Sequence, residues 1–207
     1  MDKRYGNRGR WQGYVLFSTP LVAKFTESTG AVGGASYSFF DWLGVGISGG
    51  IFGSSEVDVV EQVRLSRAGE PVDGAPLSDL FRLVWFAGGE VTFTPLYGRI
   101  SFASEYSPAF DLFLVLGGGV AGTERDLGSP TAANDELATV DEITGYFSFG
   151  VGLRFHVLSW LAARTEYRHL LLLEPEIPAT EVEDPTTDVA GTLTNVQQFQ
   201  VGLQFTY

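Results

Sequence analysis

The chain of 207 residues contains no cysteine, only two histidines, and 13 Lys and Arg against 25 Asp and Glu. Without cysteine there is no disulfide framework, no thiolate nucleophile and no thiolate metal site. A formal net charge of −12 argues against nucleic acid as a partner, because phosphate binding needs a basic surface. No run of about 18 apolar residues occurs, so no transmembrane helix is expected. A protein that crosses a bilayer with strands does not need one. No secretory signal is read at the start either. Met1, Asp2, Lys3 and Arg4 supply charge, but no apolar core follows them. An exported protein with this start would be a mature or trimmed form. No segment has the Asp-x-Asp-x-Asp-Gly order of a calcium loop, and Gly88–Gly89 and Gly117–Gly119 lie in strand-like runs rather than in phosphate loops. No cofactor and no metal are expected.

What the chain does have is 26 glycines, 14% aromatic residues and strict alternation, most plainly at its end. Phe199, Val201, Leu203, Phe205 and Tyr207 share one parity; Gln198, Gln200, Gly202, Gln204 and Thr206 share the other. In a strand the side-chain period is two, so one face is apolar and the other polar. Lipid outside and a polar lumen inside is the pattern of a bacterial outer-membrane barrel. The ending resembles the C-terminal assembly signal of such barrels, with Tyr207 where Phe or Trp is usual. That resemblance implies the barrel-assembly machinery as a partner.

Eight strands are expected, at 10–18, 31–40, 43–53, 81–94, 109–122, 146–156, 161–172 and 195–207. Their lengths suit tilted strands spanning a bilayer. Pro95–Gly98 reads as a turn, and 99–107 is ambiguous. In the fourth strand Phe81, Leu83, Trp85, Val91 and Phe93 are expected outward. The seventh also has helix-forming composition, but the alternation of Arg164, Glu166 and Arg168 favours a strand with all three in the lumen. Short connections near Asp41–Trp42, Pro95 and 157–160 alternate with long ones at 19–29, 54–80, 123–145 and 173–194. This predicts an eight-stranded up-and-down antiparallel transmembrane β-barrel over 10–207, preceded by a periplasmic extension, 1–9, with short turns on the periplasmic side.

The expected lumen charges are Arg82, Glu90, Asp111, Arg154, Arg164, Glu166 and Arg168. An eight-stranded barrel is just wide enough for side chains to fill it, so these charges must pair, and arginine suits pairing because its fork bridges carboxylates. A structural polar plug is the simpler reading and a gated small pore the functional one. The long segments hold 18 of the 25 acids, which suits solvated loops, or divalent-cation bridging to lipopolysaccharide phosphates, or docking of a basic partner. Trp11, Trp42, Tyr97, Trp160 and Tyr207 fall near periplasmic strand ends, as an interfacial aromatic girdle would. His156 is expected at a periplasmic turn and His169 near the outer end of the seventh strand, facing lipid. His169-Leu170-Leu171 lacks the serine of a His-x-Ser lipid hydrolase, while the acid-rich rim of an omptin-type protease is matched only unspecifically.

Several segments resemble a family of outer-membrane β-barrel proteins described mainly from myxobacteria and related deltaproteobacteria. They are Gly9–Trp11, Phe40–Gly46, Thr94–Phe102, Phe110–Phe113 followed by Gly117–Val120, and Arg164–Arg168. Some members are associated with gliding-motility machinery. The resemblance implies a non-enzymatic envelope role, in contact with outer-membrane lipid, lipopolysaccharide and other envelope proteins, and transfers no catalytic residues. The family's Asn-Asp-Pro-Phe-like first loop is replaced here by Ser18–Phe25. The expected function is therefore a structural or interaction component of the bacterial outer membrane. A narrow porin, an outer-membrane enzyme and a soluble lipocalin-like carrier are the alternatives.

Overall fold

From Ala162 to Leu172 every second residue is buried and those between are more accessible. A helix would bury every third or fourth residue, so this segment is a strand despite its alanine and leucine content. The same period of two organises the whole molecule. The computed structural model describes residues 7–21, 26–56, 80–99, 109–127, 138–173 and 193–207. Eight strands account for most of them: β1 Arg10–Pro20, β2 Thr26–Phe40, β3 Leu43–Glu56, β4 Leu80–Arg99, β5 Ala109–Leu127, β6 Ala138–His156, β7 Leu161–Leu173 and β8 Leu193–Thr206. Each pairs antiparallel with the next, and β8 returns to β1 from Gln12↔Thr206 to Pro20↔Gln198. Closure leaves no unpaired edge, which a strand-built membrane protein requires.

The outer wall is apolar. Val15, Phe17, Ile47, Leu116, Val201 and Leu203 all point away from the barrel and are exposed, Ile47 at 68%. The opposite parity of the same strands carries Gln12, Ser36, Ser48, Glu90, Arg154, Arg168 and Gln200, all buried. A contiguous apolar wall around a charged interior is stable only against lipid, so the fold is a transmembrane β-barrel and a soluble carrier is excluded. Trp11, Trp42, Trp160 and Tyr207 are exposed at one end, where Trp160 and Trp11 carbonyls accept the Thr206 and Tyr207 backbone N–H groups. Tyr97 lies at the same end, half-buried. This is the end of the two short turns, and the connections 57–79, 128–137 and 174–192 leave from the other.

The strands are longer than their alternation alone indicates, and four expectations change. Pro95–Gly98 is not a turn: β4 runs on to Arg99, and the register slips between Phe93 and Leu96. Proline cannot donate to a ladder, so it sits at a bulge. A second slip between Leu83 and Trp85 reverses the parity of β4, so Leu83, expected outward, is buried. The segment 123–145 is not one long loop. β5 reaches Leu127 and β6 starts at Ala138, pairing Glu124 with Asp141 and Thr123 with Glu142. Of 19–29, only 21–25 separates β1 from β2.

The lumen is not wholly polar, as expected, but layered. Toward the long connections Leu16, Val32, Phe52, Leu83, Phe86, Ala121, Tyr146, Leu170 and Leu172 form a buried apolar cluster. Phe86 stands between Phe52 (centroids 5.9 Å, stacked) and Tyr146 (5.5 Å, edge-on). Polar and charged side chains fill the half nearer the short turns. Glycine makes room for the large rings. A Cβ on Gly34 would stand 2.4 Å from Tyr14 Oη, and one on Gly152 would stand 2.3 Å from Phe113 Cζ.

Candidate functional site

The chemistry of this chain is concentrated in the lumen. Arg164, Glu166 and Arg168 alternate along β7 and so stack on its inner face. β4 brings Glu90 to them from across the barrel. Glu166 accepts from Arg164 Nη2 at 2.7 Å and Nε at 3.2 Å, and from Arg168 Nε at 2.6 Å. Arg168 Nη2 donates to Glu90 at 3.0 Å, and Glu90 accepts from the Tyr14 hydroxyl at 2.9 Å. All four charged groups are at most 3% exposed. Two cations and two anions therefore alternate without bulk water, the arrangement in which buried charge is tolerated. The Arg164 guanidinium also lies 4.0 Å from the Tyr14 ring centroid and 4.5 Å from that of Phe113, a favourable cation–π placement.

A second polar layer lies nearer the short turns, joined to the first through amide side chains. Arg164 Nη1 donates to Gln204 Oε1, Gln204 Nε2 to Gln12 Oε1, and Arg154 Nη1 to the same Gln12 oxygen. Arg154 Nη2 donates to Thr94 Oγ1 at 3.1 Å, and its guanidinium lies 4.5 Å from the Phe113 centroid. Asp111 is 1% exposed and meets His156 Nε2 at 2.9 Å. Asn7 enters this end of the barrel: it is buried, and its Nδ2 donates to Asp111 at 3.5 Å. The backbone N–H groups of Asn7 and Arg8 donate to Asp41 Oδ1. Asn7 thus belongs to the barrel mouth, although it falls within the expected periplasmic extension.

Of the seven expected lumen charges, Glu90, Arg164, Glu166 and Arg168 meet in one network. Asp111 and Arg154 lie in the second layer. Arg82 is half-buried at the opposite end, opposite Glu124, and stands apart from both layers. The slip beside Leu83 puts Arg82 on the parity away from the lumen. The hydrogen-bond partners of Arg154, Gln12 and Thr94, are neutral, and Asp111 is its cross-strand partner on the same inner face. Tyr14, Gln12, Gln204, Thr94 and His156 were not among the expected site residues, although all five lie on readable inward parities and the inward face of Gln204 was itself expected. His156 is not a turn residue but the last inward side chain of β6, two positions after Arg154.

His169 is on the outer wall. Its ring stacks on Phe149 at 4.7 Å, meets Tyr167 edge-on at 4.7 Å, and places Nδ1 3.2 Å from Asn195 Oδ1. Beside it the Tyr167 hydroxyl donates to Gln197 at 3.0 Å. On a lipid-facing wall this polar group suits the membrane–water boundary at the loop end. The closing parity of β8 is likewise on the wall: Phe199, Val201, Leu203 and Tyr207 are exposed and Phe205 partly so. Among the described residues no group of three His, Asp or Glu is placed to hold a metal ion. The acidic segments 57–79, 128–137 and 174–192 lie outside the described residues.

No protein-family model matches the chain, and no curated protein does. Solved structures with a similar course include the N-terminal β-barrel domain of Pseudomonas aeruginosa OprF, at 8% identity over 97% of this chain and 98% of that one, TM-score 0.49. The outer membrane protein OprG of the same organism is 12% identical, over 100% and 99% of the two chains, TM-score 0.46. Ail, the attachment invasion locus protein of Yersinia pestis, is 12% identical over 97% and 99%, TM-score 0.45. Likeness this distant carries no functional argument.

Proposed function

We propose that this protein is a non-enzymatic barrel of the bacterial outer membrane whose body is a sealed anchor and whose work is done at its loop end. The supporting observation is the filled lumen. Glu166, Arg168, Leu170, Leu172, Gln200 and Gln204 are at most 1% exposed, so a water-sized particle does not reach them from either mouth. A charged layer and an apolar layer lie in series across the barrel, and a solute crossing it would have to displace both. This favours a structural or interaction component over a narrow porin. The acid-rich connections are then the contact surface, suited to lipopolysaccharide through bridging divalent cations or to a basic envelope partner. The resemblance to gliding-associated barrels makes a larger envelope complex the natural setting. The outward packing of His169, away from any lumen dyad, supports the non-enzymatic reading.

The test is reconstitution. Protein refolded from urea into detergent should migrate differently on gels before and after boiling, and should give no discrete conductance steps in planar bilayers. Regular steps that scale with protein added would overturn the sealed-anchor reading and favour the porin.

A further inference from the structure

The lipid-facing wall is not evenly clad. Over β1 to β3, toward the turn end, Trp11, Tyr37, Phe39, Val45 and Ile47 surround a groove of about 780 Å³, and Ala35 and Gly46 complete its lining. That volume is within the range of small-ligand sites. Its three rings form one continuous bank: Trp11 and Tyr37 have centroids 5.3 Å apart, and Tyr37 and Phe39 meet edge-on at 5.1 Å. A second hollow shares Ala35 and Ile47 and carries the groove on to Gly33, Gly49 and Ala87. From Phe39 to Gly33 there are six residue steps along β2, about 20 Å of strand. At a strand tilt of about 40° that is about 15 Å of depth, half of a hydrocarbon core about 30 Å thick. The groove thus has the depth of one leaflet.

At the interfacial end of the groove stands the turn of Asn7 to Arg10. Its backbone is fixed: the N–H groups of Asn7 and Arg8 donate to Asp41 Oδ1, that of Gly9 to the Ser38 carbonyl and that of Arg10 to the Asn7 carbonyl. A Cβ on Gly9 would lie 4.0 Å from Tyr37 Oη, so the turn sits against the bank of rings. Arg8 and Arg10 are exposed there. With Arg99 they are the exposed charged side chains of the turn end among the described residues; Asp41 is half-buried and accepts from the turn, and Asp111 is buried. We infer that this groove is a binding site for one anionic phospholipid of the leaflet at the turn end, with its acyl chains along the groove and its phosphate at Arg8 and Arg10. The inference rests on the reading of the protein as an outer-membrane barrel. Apolar depth alone would suit any lipid or a second copy; the cations discriminate. Arginine favours phosphate, and a zwitterionic lipid sets its own cation beside that phosphate. Two copies inserted the same way round and meeting at this face would bring Arg8 and Arg10 of one toward those of the other, like charge against like.

The experiment is native mass spectrometry of the refolded full chain in detergent, with phosphatidylglycerol and phosphatidylcholine of identical acyl chains added in equal amounts. One phosphatidylglycerol should be retained per barrel, preferred over phosphatidylcholine by roughly thirtyfold, since each arginine near an anionic lipid surface contributes about a factor of five. Arg8→Gln together with Arg10→Gln should bring that preference close to parity. Ala35→Phe fills the groove from the lipid side and should remove the bound lipid. Equal retention of the two lipids by the unaltered chain, a preference undiminished in either variant, or a lipid-free dimer would overturn the inference. The gel-mobility shift is read on the same samples: failure of the lipid result with the shift retained overturns this inference alone, whereas loss of the shift in the unaltered chain overturns the membrane reading with it.

Discussion

Glu166 is the residue on which the lumen network turns, and replacing it by glutamine is the sharpest test of that network. Glutamine preserves the shape of the side chain but removes the charge shared by Arg164 and Arg168. It also turns one oxygen into an N–H₂ group facing an arginine donor. Glu90 would remain as the one carboxylate for two guanidiniums, and no water reaches the site to help. Breaking a buried pair costs about 3–5 kcal/mol, and with a urea slope of about 2 kcal/mol per molar the midpoint should fall by roughly 2 M. Arg168→Gln alone should cost a similar amount, because it strands the charge of Glu90 beside the Tyr14 hydroxyl. The double substitution removes one charge of each sign and restores neutrality. Its cost should therefore fall short of the sum of the singles by about 1–3 kcal/mol, the range of coupling between residues in contact. The assay is reversible urea unfolding in lipid vesicles, followed by tryptophan emission and gel mobility. Additivity within about 0.5 kcal/mol would refute the reasoning, since it would mean that the two side chains do not share their charge balance.

Two further substitutions probe the faces of the wall and the packing behind it. Leu203→Arg puts a charge on the lipid side and should lower insertion into bilayers by about 2–4 kcal/mol near the midplane; an unchanged folding yield in vesicles would contradict the outward facing of β8. Gly34→Ala drives a methyl group into Tyr14 and the Ile47 carbonyl, with contacts of 2.4 and 2.7 Å, and should cost about 1–3 kcal/mol. At the neighbouring Gly33 a Cβ meets nothing closer than 3.5 Å, so Gly33→Ala should stay within about 0.5 kcal/mol. Equal urea midpoints for the two variants would remove the ring-over-glycine packing from the account.

Which residues face lipid could be read from the chain because the strand period is local. Any residue and its second neighbour share a face whatever the rest of the protein does. Phe199 to Tyr207, Phe147 to Phe155 and the Arg164–Glu166–Arg168 triplet declared their faces this way, and the alternation of short and long connections supplied the up-and-down order. Local pattern failed where the ladder slips. Nothing near Leu83 in sequence announces a bulge, and Pro95 fits a turn as well as a bulge, because a bulge is a mismatch between two strands and is visible only when both are paired.

The interior was decided by closure. Tyr14 meets Glu90 across 76 residues of chain, Arg168 meets Glu90 across 78, and Gln204 meets Gln12 across 192. Sequence spacing carries no information about such pairs. By itself the sequence determined that β7 offers three charges to one side, and that Leu170 and Leu172 follow on the same parity. Only the closed barrel decided that the charges find Glu90 and Tyr14 while the leucines find Val32, Phe52 and Phe86. The physical reason is that faces follow from the stereochemistry of one strand, whereas partners follow from the registers of all eight.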